Sequence, residues 1–149
     1  MQTPAVIAAP EDMQAQSRCW RRQGLSVGLV PTMGYLHAGH LALVEASTQR
    51  CARTVVSIFV NPLQFGPQED FAVYPRDLER DLGLLAPLQV DAVFHPTAAA
   101  FYPADHATAV EVSGLTAGLC GRARPGHFRG VTTVVAKLFN VVQPDIAVF

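Results

Sequence analysis

The chain of 149 residues has few charged residues and almost no excess of either sign. Its 11 Lys and Arg residues are set against 12 Asp and Glu residues, which leaves a formal net charge of −1 at pH 7. Because attraction to nucleic acid or to an acidic membrane surface needs a strongly basic protein, neither is expected as a partner. Hydrophobic residues make up 50% of the chain, so the composition excludes a disordered protein.

Cysteines and long apolar runs are also scarce. Cys19, Cys51 and Cys120 lie far apart without a C-x-x-C pair, which argues against a zinc site and is typical of unpaired thiols in a reducing compartment. No apolar run is long enough to span a bilayer, and the N-terminus lacks the pattern of a signal peptide. We therefore expect a cytoplasmic protein that does not bind membranes. Its length and its lack of a linker predict a single domain, residues 1–149.

Apolar runs alternate with segments of helical periodicity. The apolar runs predict buried strands at 25–31, 54–60, 90–96 and 145–149, with a further short strand at 109–112, and the helical segments are 40–52, 75–88 and 130–142. Apolar strands separated by helices are typical of a parallel sheet covered on both faces. The predicted fold is therefore a Rossmann-like, doubly wound α/β domain. Because strand character persists to Phe149, we expect the chain to be part of a longer protein.

The stretch "PTMGYLHAGH", residues 31–40, follows the first long strand and leads into a helix. In open parallel sheets, ligands bind at the carboxyl ends of the strands. Pro31 ends the strand and Gly34 permits a tight turn, so the backbone N–H groups near Met33 and Gly34 are expected to point outward. A helix starting near His37 or Ala38 would add its positive dipole end. These features together predict an anion site.

Two histidines in this loop are the candidates for contact with the anion. His37 and His40 have i, i+3 spacing, so both can face one phosphate and stabilise charge that develops there. Gly39 between them would let a base or a ribose lie close to the backbone. The alternative is that both histidines are solvated residues at a helix start.

A second loop, "NPLQFG", follows the next strand. Its amides Asn61 and Gln64 are suited to a small polar substrate with carboxylate and hydroxyl groups. The alternative is an Asn-Pro turn with Gln64 facing solvent.

The remaining polar residues give weaker signals. Arg122, Arg124, Arg129 and His127 form a basic cluster before the last helix, either for phosphate or carboxylate recognition or as a solvated loop. Asp77 is expected to cap a helix, and Lys137 is expected to be structural. Asp81 either reaches a metal held by phosphates or is a surface acid.

Five stretches occur together in this chain: "VPTMGYLHAGH", "SIFVNPLQF", "YPRDLERDL", "RPGHFRGVTTVVAKLFN" and "VQPDIAVF". In content and order they resemble the pantothenate synthetase family, whose H-x-G-H loop belongs to a nucleotidyltransferase superfamily. The resemblance implies a ligase that joins pantoate to β-alanine through a pantoyl adenylate. Such a ligase uses ATP, and Mg²⁺ is bound to that ATP. It also implies a homodimer.

The resemblance assigns roles to matching residues. It makes His40 and His37 catalytic, and Gln64 a pantoate ligand with Asn61 as its neighbour. Asp81 and Tyr74 would lie on the pyrophosphate or metal side, with Arg124 near the opening of the site. The residues implied to line the ATP site are Pro31, Thr32, Met33, Gly34, Tyr35, Leu36, His37, Ala38, Gly39 and His40.

Family members continue beyond "DIAVF" with a Gly-Glu-Lys-Asp segment, a second pantoate glutamine and a C-terminal domain. We therefore expect the present chain to be catalytically incomplete by itself. Two alternatives stay open: a nucleotide-binding module without catalysis, and another H-x-G-H nucleotidyltransferase. The stretches "NPLQF" and "RPGHFRGVTT" argue against the second alternative, because they are not part of the general superfamily loop.

Overall fold

The computed structural model describes residues 3–149. Short 3₁₀ turns occupy Pro62–Gln64, Ala86–Leu88 and Leu115–Ala117. The strands are β1 (Ala5–Ile7), β2 (Val27–Thr32), β3 (Arg53–Ile58), β4 (Ala92–Phe94) and β5 (Ile146–Ala147). The helices are α1 (Pro10–Arg22), α2 (Ala38–Thr48), α3 (Leu78–Leu85), α4 (Ala98–Phe101), α5 (Cys120–Ala123) and α6 (His127–Val142).

The five strands form one parallel sheet in the order β1-β4-β3-β2-β5. From β2 the chain moves outward through β3 to β4, and then returns to place β5 on the other side of β2. The strand order therefore reverses at β2, and the crevice of a doubly wound sheet opens at the carboxyl end of such a strand. The loop that leaves this end is residues 33–37.

Helices cover both faces of the sheet, which confirms the predicted Rossmann-like fold. Alternate residues of a strand point to opposite faces, and β2 shows this with Leu29 in one apolar cluster and Val30 in the other. The first cluster is completed by α1 and α6, and the second by α2 and α3. No helix within residues 3–149 has both the length and the apolar character needed to cross a bilayer.

The structure contains elements that were not predicted, among them the short helices α4 and α5, and it differs in two of the predicted strands. Strand β1 and helix α1 were not predicted, although Pro10 at the helix start and the acidic first turn are recognised start signals. The strand predicted at 109–112 is wrong: this segment is irregular, and the N–H of Val110 donates to the hydroxyl of Thr133 on α6. Strand β5 is a half-buried edge strand of two residues, rather than a core strand running to Phe149.

Candidate functional site

The backbone of the loop after β2 is held from inside the protein. The N–H of Gly34 donates to the Thr32 hydroxyl at 3.1 Å, and that hydroxyl donates to the Ser57 carbonyl at 2.8 Å. The N–H groups of Tyr35 and Leu36 donate to the two carboxylate oxygens of Asp81, at 2.7 and 2.8 Å. The prediction that the Gly34 N–H points outward is therefore wrong, because it and the two N–H groups that follow have internal acceptors.

Asp81 is the centre of this arrangement and not a surface acid, since only 1% of it is exposed. Arg80 pairs with it at 3.2 Å, donates to the Leu36 carbonyl at 3.0 Å, and places its guanidinium 4.7 Å from the centre of the Tyr35 ring. Tyr35 has a φ of +51°, a backbone conformation that residues other than glycine rarely adopt. Asp81 and Arg80 together stabilise this unusual loop and fix its shape.

His37 and His40 cap the start of α2 reciprocally. The Nδ1 atom of His37 accepts from the Gly39 N–H at 3.1 Å, and the His37 N–H lies 3.4 Å from Nδ1 of His40. Because a backbone N–H can only donate, both Nδ1 atoms are acceptors, and each neutral ring carries its proton on Nε2. The ring centres are 4.0 Å apart. A Cβ on Gly39 would lie 3.0 Å from the His37 ring, so this glycine makes room for the imidazole.

The environment favours neutral imidazole at His40. Its pKa is lowered, first because burial penalises the charged ring and second because His37 lies beside it, while Asp81 acts in the opposite direction. His37 is exposed and His40 is half-buried, so neither ring is enclosed in apolar packing. The pair therefore presents Nε2–H donors at the carboxyl end of β2, where they can meet an anion without first losing a proton.

The second predicted loop lies against the first. The side-chain N–H₂ of Gln64 is 3.3 Å from the Met33 sulfur. This contact connects the loop after β3 with the loop after β2. Asn61 is 1% exposed and all of its polar atoms have partners: it donates to Gln64 and to the Gly130 carbonyl, and it accepts from Tyr102. Asn61 therefore positions Gln64, and only Gln64 has a side-chain donor left for a ligand.

The residues of the predicted basic cluster do not act together, because Arg124 forms an ion pair with Glu69. Arg124 donates to both carboxylate oxygens of Glu69, so its charge is compensated. The Arg124 hydrogen bond, followed by the Gly66 N–H, lowers the pKa of Glu69 to about 2. His127 contacts the Gln64 carbonyl through Nδ1 at 2.8 Å, while Arg122 and Arg129 are exposed. The cluster therefore holds the Gln64 loop against α6.

Two cavities adjoin these loops. One of 310 Å³ lies at the carboxyl ends of β2, β3 and β4, where Met33 and Gly34 face His95. The His95 Nδ1 atom lies 2.7 Å from the Ile58 carbonyl, so that nitrogen carries the proton. The other, of 740 Å³, lies between the Gln64 loop and the start of α6. Tyr74 packs edge-on against Phe65 at 6.0 Å, outside the lining of both cavities.

The sequence analysis did not identify Tyr102, Glu69 or His95. Each acts through a residue distant in the sequence: Tyr102 bonds to Asn61 across 41 positions, and Glu69 pairs with Arg124 across 55. Only His95 had a local signal, because it directly follows β4 at the sheet edge where the predicted site lies.

Comparison with known proteins identifies the family of the chain. The sequence pattern described as pantoate-beta-alanine ligase matches residues 5–149. The chain belongs to this family. Pantothenate synthetase of Moorella thermoacetica is 60% identical over 149 residues, covering 100% of this chain and 52% of that protein. The chain spans about half the length of the curated relatives it matches.

Solved structures of family members have the same fold. Pantothenate synthetase from Thermus thermophilus superposes with a TM-score of 0.87 at 50% identity, over 96% of this chain and 50% of that one. The pantoate-beta-alanine ligase of Francisella tularensis, described as complexed with beta-gamma ATP and beta-alanine, gives a TM-score of 0.89 at 35% identity. That alignment covers 97% of this chain and 55% of the Francisella chain. The family and the fold are therefore consistent with one another.

Proposed function

We propose that this chain forms the ATP- and pantoate-binding part of a ligase that condenses pantoate with β-alanine through a pantoyl adenylate. The observation that carries the proposal is the contact, at the reversal point of the sheet, between two loops that each carry hydrogen-bond donors. The imidazole pair of His37 and His40 lies on the loop after β2, and Gln64 contacts Met33 of that loop from the end of β3. The Francisella relative, described with an ATP ligand and β-alanine, supports the same substrates.

The reaction fits these donors. The pantoate carboxylate attacks the α-phosphorus of ATP and pyrophosphate leaves, so negative charge grows on the α-phosphate oxygens. The Nε2–H groups of His40 and His37 would stabilise that charge. Gln64 would hold a pantoate oxygen and orient the attacking carboxylate. The β-alanine amine then displaces AMP to form the amide. Neither step needs a protein nucleophile.

Magnesium is proposed to arrive with the phosphates of ATP. Within residues 3–149, no three His, Cys, Asp or Glu side chains lie together in a way that could hold a metal ion. Asp81, the predicted metal-side residue, already accepts two backbone N–H groups. These residues do not fit a protein-held ion, and we assign no step of the reaction to one.

Two calorimetric titrations of the chain test this function, one with ATP and Mg²⁺ and one with pantoate. We expect both ligands to bind, and we expect His40→Ala to weaken ATP binding by about tenfold or more. Thr48→Ala is the matched control at the far end of α2, where the hydroxyl only bonds to the Glu45 carbonyl. Absence of ATP binding, or equal binding by the His40 variant, would contradict the proposal.

A second possibility is a binding module without turnover, since the chain spans only about half of its relatives. Adding β-alanine to ATP, Mg²⁺ and pantoate and measuring AMP separates the two. We expect AMP at a rate far below that of a full-length family member, because the chain is proposed to be catalytically incomplete. AMP formation at an equal rate would refute that incompleteness.

We further propose that the protein is a cytoplasmic homodimer. Exposed apolar side chains on the segment 110–119 support a second copy, since Leu115 and Leu119 are each 91% exposed and Val110 and Val112 are partly exposed. Cys19 and Cys120 are exposed free thiols, as is usual in a reducing compartment. Sedimentation of the chain and of a Leu115→Glu variant tests the dimer: the variant is expected to be monomeric.

A further inference from the structure

A buried relay of hydrogen bonds connects Tyr102 to Gln64. The Tyr102 hydroxyl donates to Oδ1 of Asn61 at 2.8 Å, and Nδ2 of Asn61 donates to Oε1 of Gln64 at 3.0 Å. Asn61 is 1% exposed, so water does not compete for these bonds. The relay begins at Tyr102, directly after α4, and passes through Asn61 after β3. It ends at Gln64, beside Met33 of the loop after β2.

The direction of this relay is fixed by two backbone groups. The Gly130 carbonyl can only accept, and it takes one N–H of Asn61 at 3.0 Å. The Leu63 N–H can only donate, and it points to Oδ1 of Asn61 at 3.3 Å. A reversed Asn61 amide would place its N–H₂ group against the Leu63 N–H and its oxygen against the Gly130 carbonyl. Both contacts are unfavourable, so the amide has one orientation.

The fixed direction decides what Gln64 offers to a ligand. Its oxygen already accepts from Asn61, so its N–H₂ group faces the loop after β2. There it meets the Met33 sulfur at 3.3 Å, a weak acceptor. A ligand oxygen would accept from this N–H₂ group far better than a thioether does.

We propose that Tyr102 is a positioning residue. The backbone groups set the direction of the Asn61 amide, and the Tyr102 hydroxyl holds that side chain in place, so that Gln64 stays positioned to donate to a substrate with a carboxylate or hydroxyl oxygen. This inference rests on the proposed function, since it assigns the bound oxygen to pantoate. Tyr102 directly follows α4, whereas the other residues of the candidate site lie on the loops after β2 and β3.

Lys137 supports the position of Tyr102. Its Nζ lies 5.0 Å from the centre of the Tyr102 ring and 5.2 Å from that of Phe101. A cation at this distance is attracted to the ring face, which helps to hold the ring in place. Burial lowers the pKa of Lys137 and raises that of Tyr102 above its usual value, so the hydroxyl keeps its proton and can donate.

The experiment compares three variants of the chain. Tyr102→Phe keeps the ring and removes the hydroxyl. Gln64→Glu keeps an acceptor for Asn61 but replaces the outward N–H₂ with a carboxylate oxygen. Ser47→Ala is the matched control, because it also removes a buried hydroxyl bond, to Thr54 at 2.9 Å, but at the opposite end of the strands. Each variant is titrated with pantoate and, separately, with ATP and Mg²⁺.

We expect Tyr102→Phe to weaken pantoate binding by about fivefold or more, the usual worth of one hydrogen bond, with ATP binding unchanged. Gln64→Glu should abolish pantoate binding and retain ATP binding. A second measurement follows the side-chain N–H protons of Asn61 by NMR, which should exchange with solvent about tenfold faster in Tyr102→Phe than in Ser47→Ala.

Equal loss of both ligands in Tyr102→Phe would overturn the inference, because it would mean general destabilisation. Unchanged pantoate binding with unchanged Asn61 proton exchange would also overturn it. If the unaltered chain binds ATP but not pantoate, the pantoate part of the proposed function fails, and the proton exchange alone decides whether the relay exists.

Discussion

Replacing Asp81 by Asn is the sharpest test of how the loop after β2 is held. The carboxylate accepts the Tyr35 and Leu36 N–H groups with separate oxygens. Asn keeps one oxygen and turns an N–H₂ group toward the other backbone donor. A hydrogen bond to a charged group contributes about 1.5–3 kcal/mol, and an unpaired buried N–H adds to the loss. We therefore expect the free energy of unfolding to fall by about 2–4 kcal/mol.

Urea unfolding of the chain measures this loss. With a urea dependence of about 2 kcal/mol per molar, the middle of the usual range for small proteins, the midpoint should fall by about 1–2 M. Glu79→Gln, an exposed position in the first turn of the same helix, is the control and should leave the midpoint unchanged. Hydrogen exchange at the Tyr35 and Leu36 amides should accelerate by about a hundredfold, because those N–H groups would open locally.

The same variant separates the two roles considered for Asp81. If the carboxylate acted only on a metal carried by the phosphates of ATP, Asp81→Asn would unfold at the same urea concentration as the unaltered chain in the absence of ligand. Only its binding of ATP with Mg²⁺ would change. A midpoint shift below about 0.3 M would therefore refute the structural role of Asp81.

Three further predictions follow from the site. Glu69→Gln should remove stability that is present above pH 4.5 and lost as pH falls toward 2, because the pKa of Glu69 is lowered from 4.5 to about 2 in the folded protein; urea midpoints across that range measure it. Gly39→Ala should displace the His37 ring and weaken ATP binding about tenfold in calorimetry. Because the pKa of His40 is lowered, ATP affinity should stay constant from about pH 7 to 8.5.

Each of these has a control or a contrary result. Glu79→Gln removes a carboxylate without an ion pair and should keep the acid dependence seen in the unaltered chain. Gly83→Ala has open space around the added methyl, so it should stabilise α3 by about 0.5–1 kcal/mol without affecting ATP binding. An ATP affinity that declines steadily between pH 7 and 8.5 would mean that an imidazolium, rather than a neutral ring, binds the phosphates.

The sequence was sufficient for the fold because the three central strands are buried on both faces. β2, β3 and β4 are therefore buried along almost their whole length and mostly apolar, and such runs between helical segments are a strong signal. The edge strands were harder to predict. β1, with three residues, was not predicted, and β5, with two residues, was predicted as a longer strand at 145–149. At 109–112, the backbone of Val110 bonds to the hydroxyls of Thr132 and Thr133 on α6 and does not pair with a strand.

The candidate site could be located from the sequence, but its internal bonding could not. The H-x-G-H loop and Gln64 follow strand ends, and that position is visible in the chain. The partners of these loops are distant: Asp81 lies 46 positions from Tyr35, and Tyr102 lies 41 positions from Asn61. No spacing rule connects residues so far apart, because only the fold brings them together. Asp81 and Asn61 were therefore considered for contact with a ligand or metal, whereas the hydrogen bonds that the structure gives them are to the protein itself.

The two interpretations of the histidines, as a helix start and as an anion site, are compatible. In α2 they occupy the N-cap and N3 positions of a reciprocal cap, where Ser or Thr and Glu are usual. In a Ser and Glu cap, the side-chain oxygens are used in the capping hydrogen bonds. An imidazole has two nitrogens on opposite sides of the ring, so Nδ1 satisfies the helix while Nε2–H remains for a ligand. Since the N–H groups of Gly34, Tyr35 and Leu36 donate to Thr32 and Asp81, we propose that these two Nε2–H groups are the main donors that the loop offers to an anion.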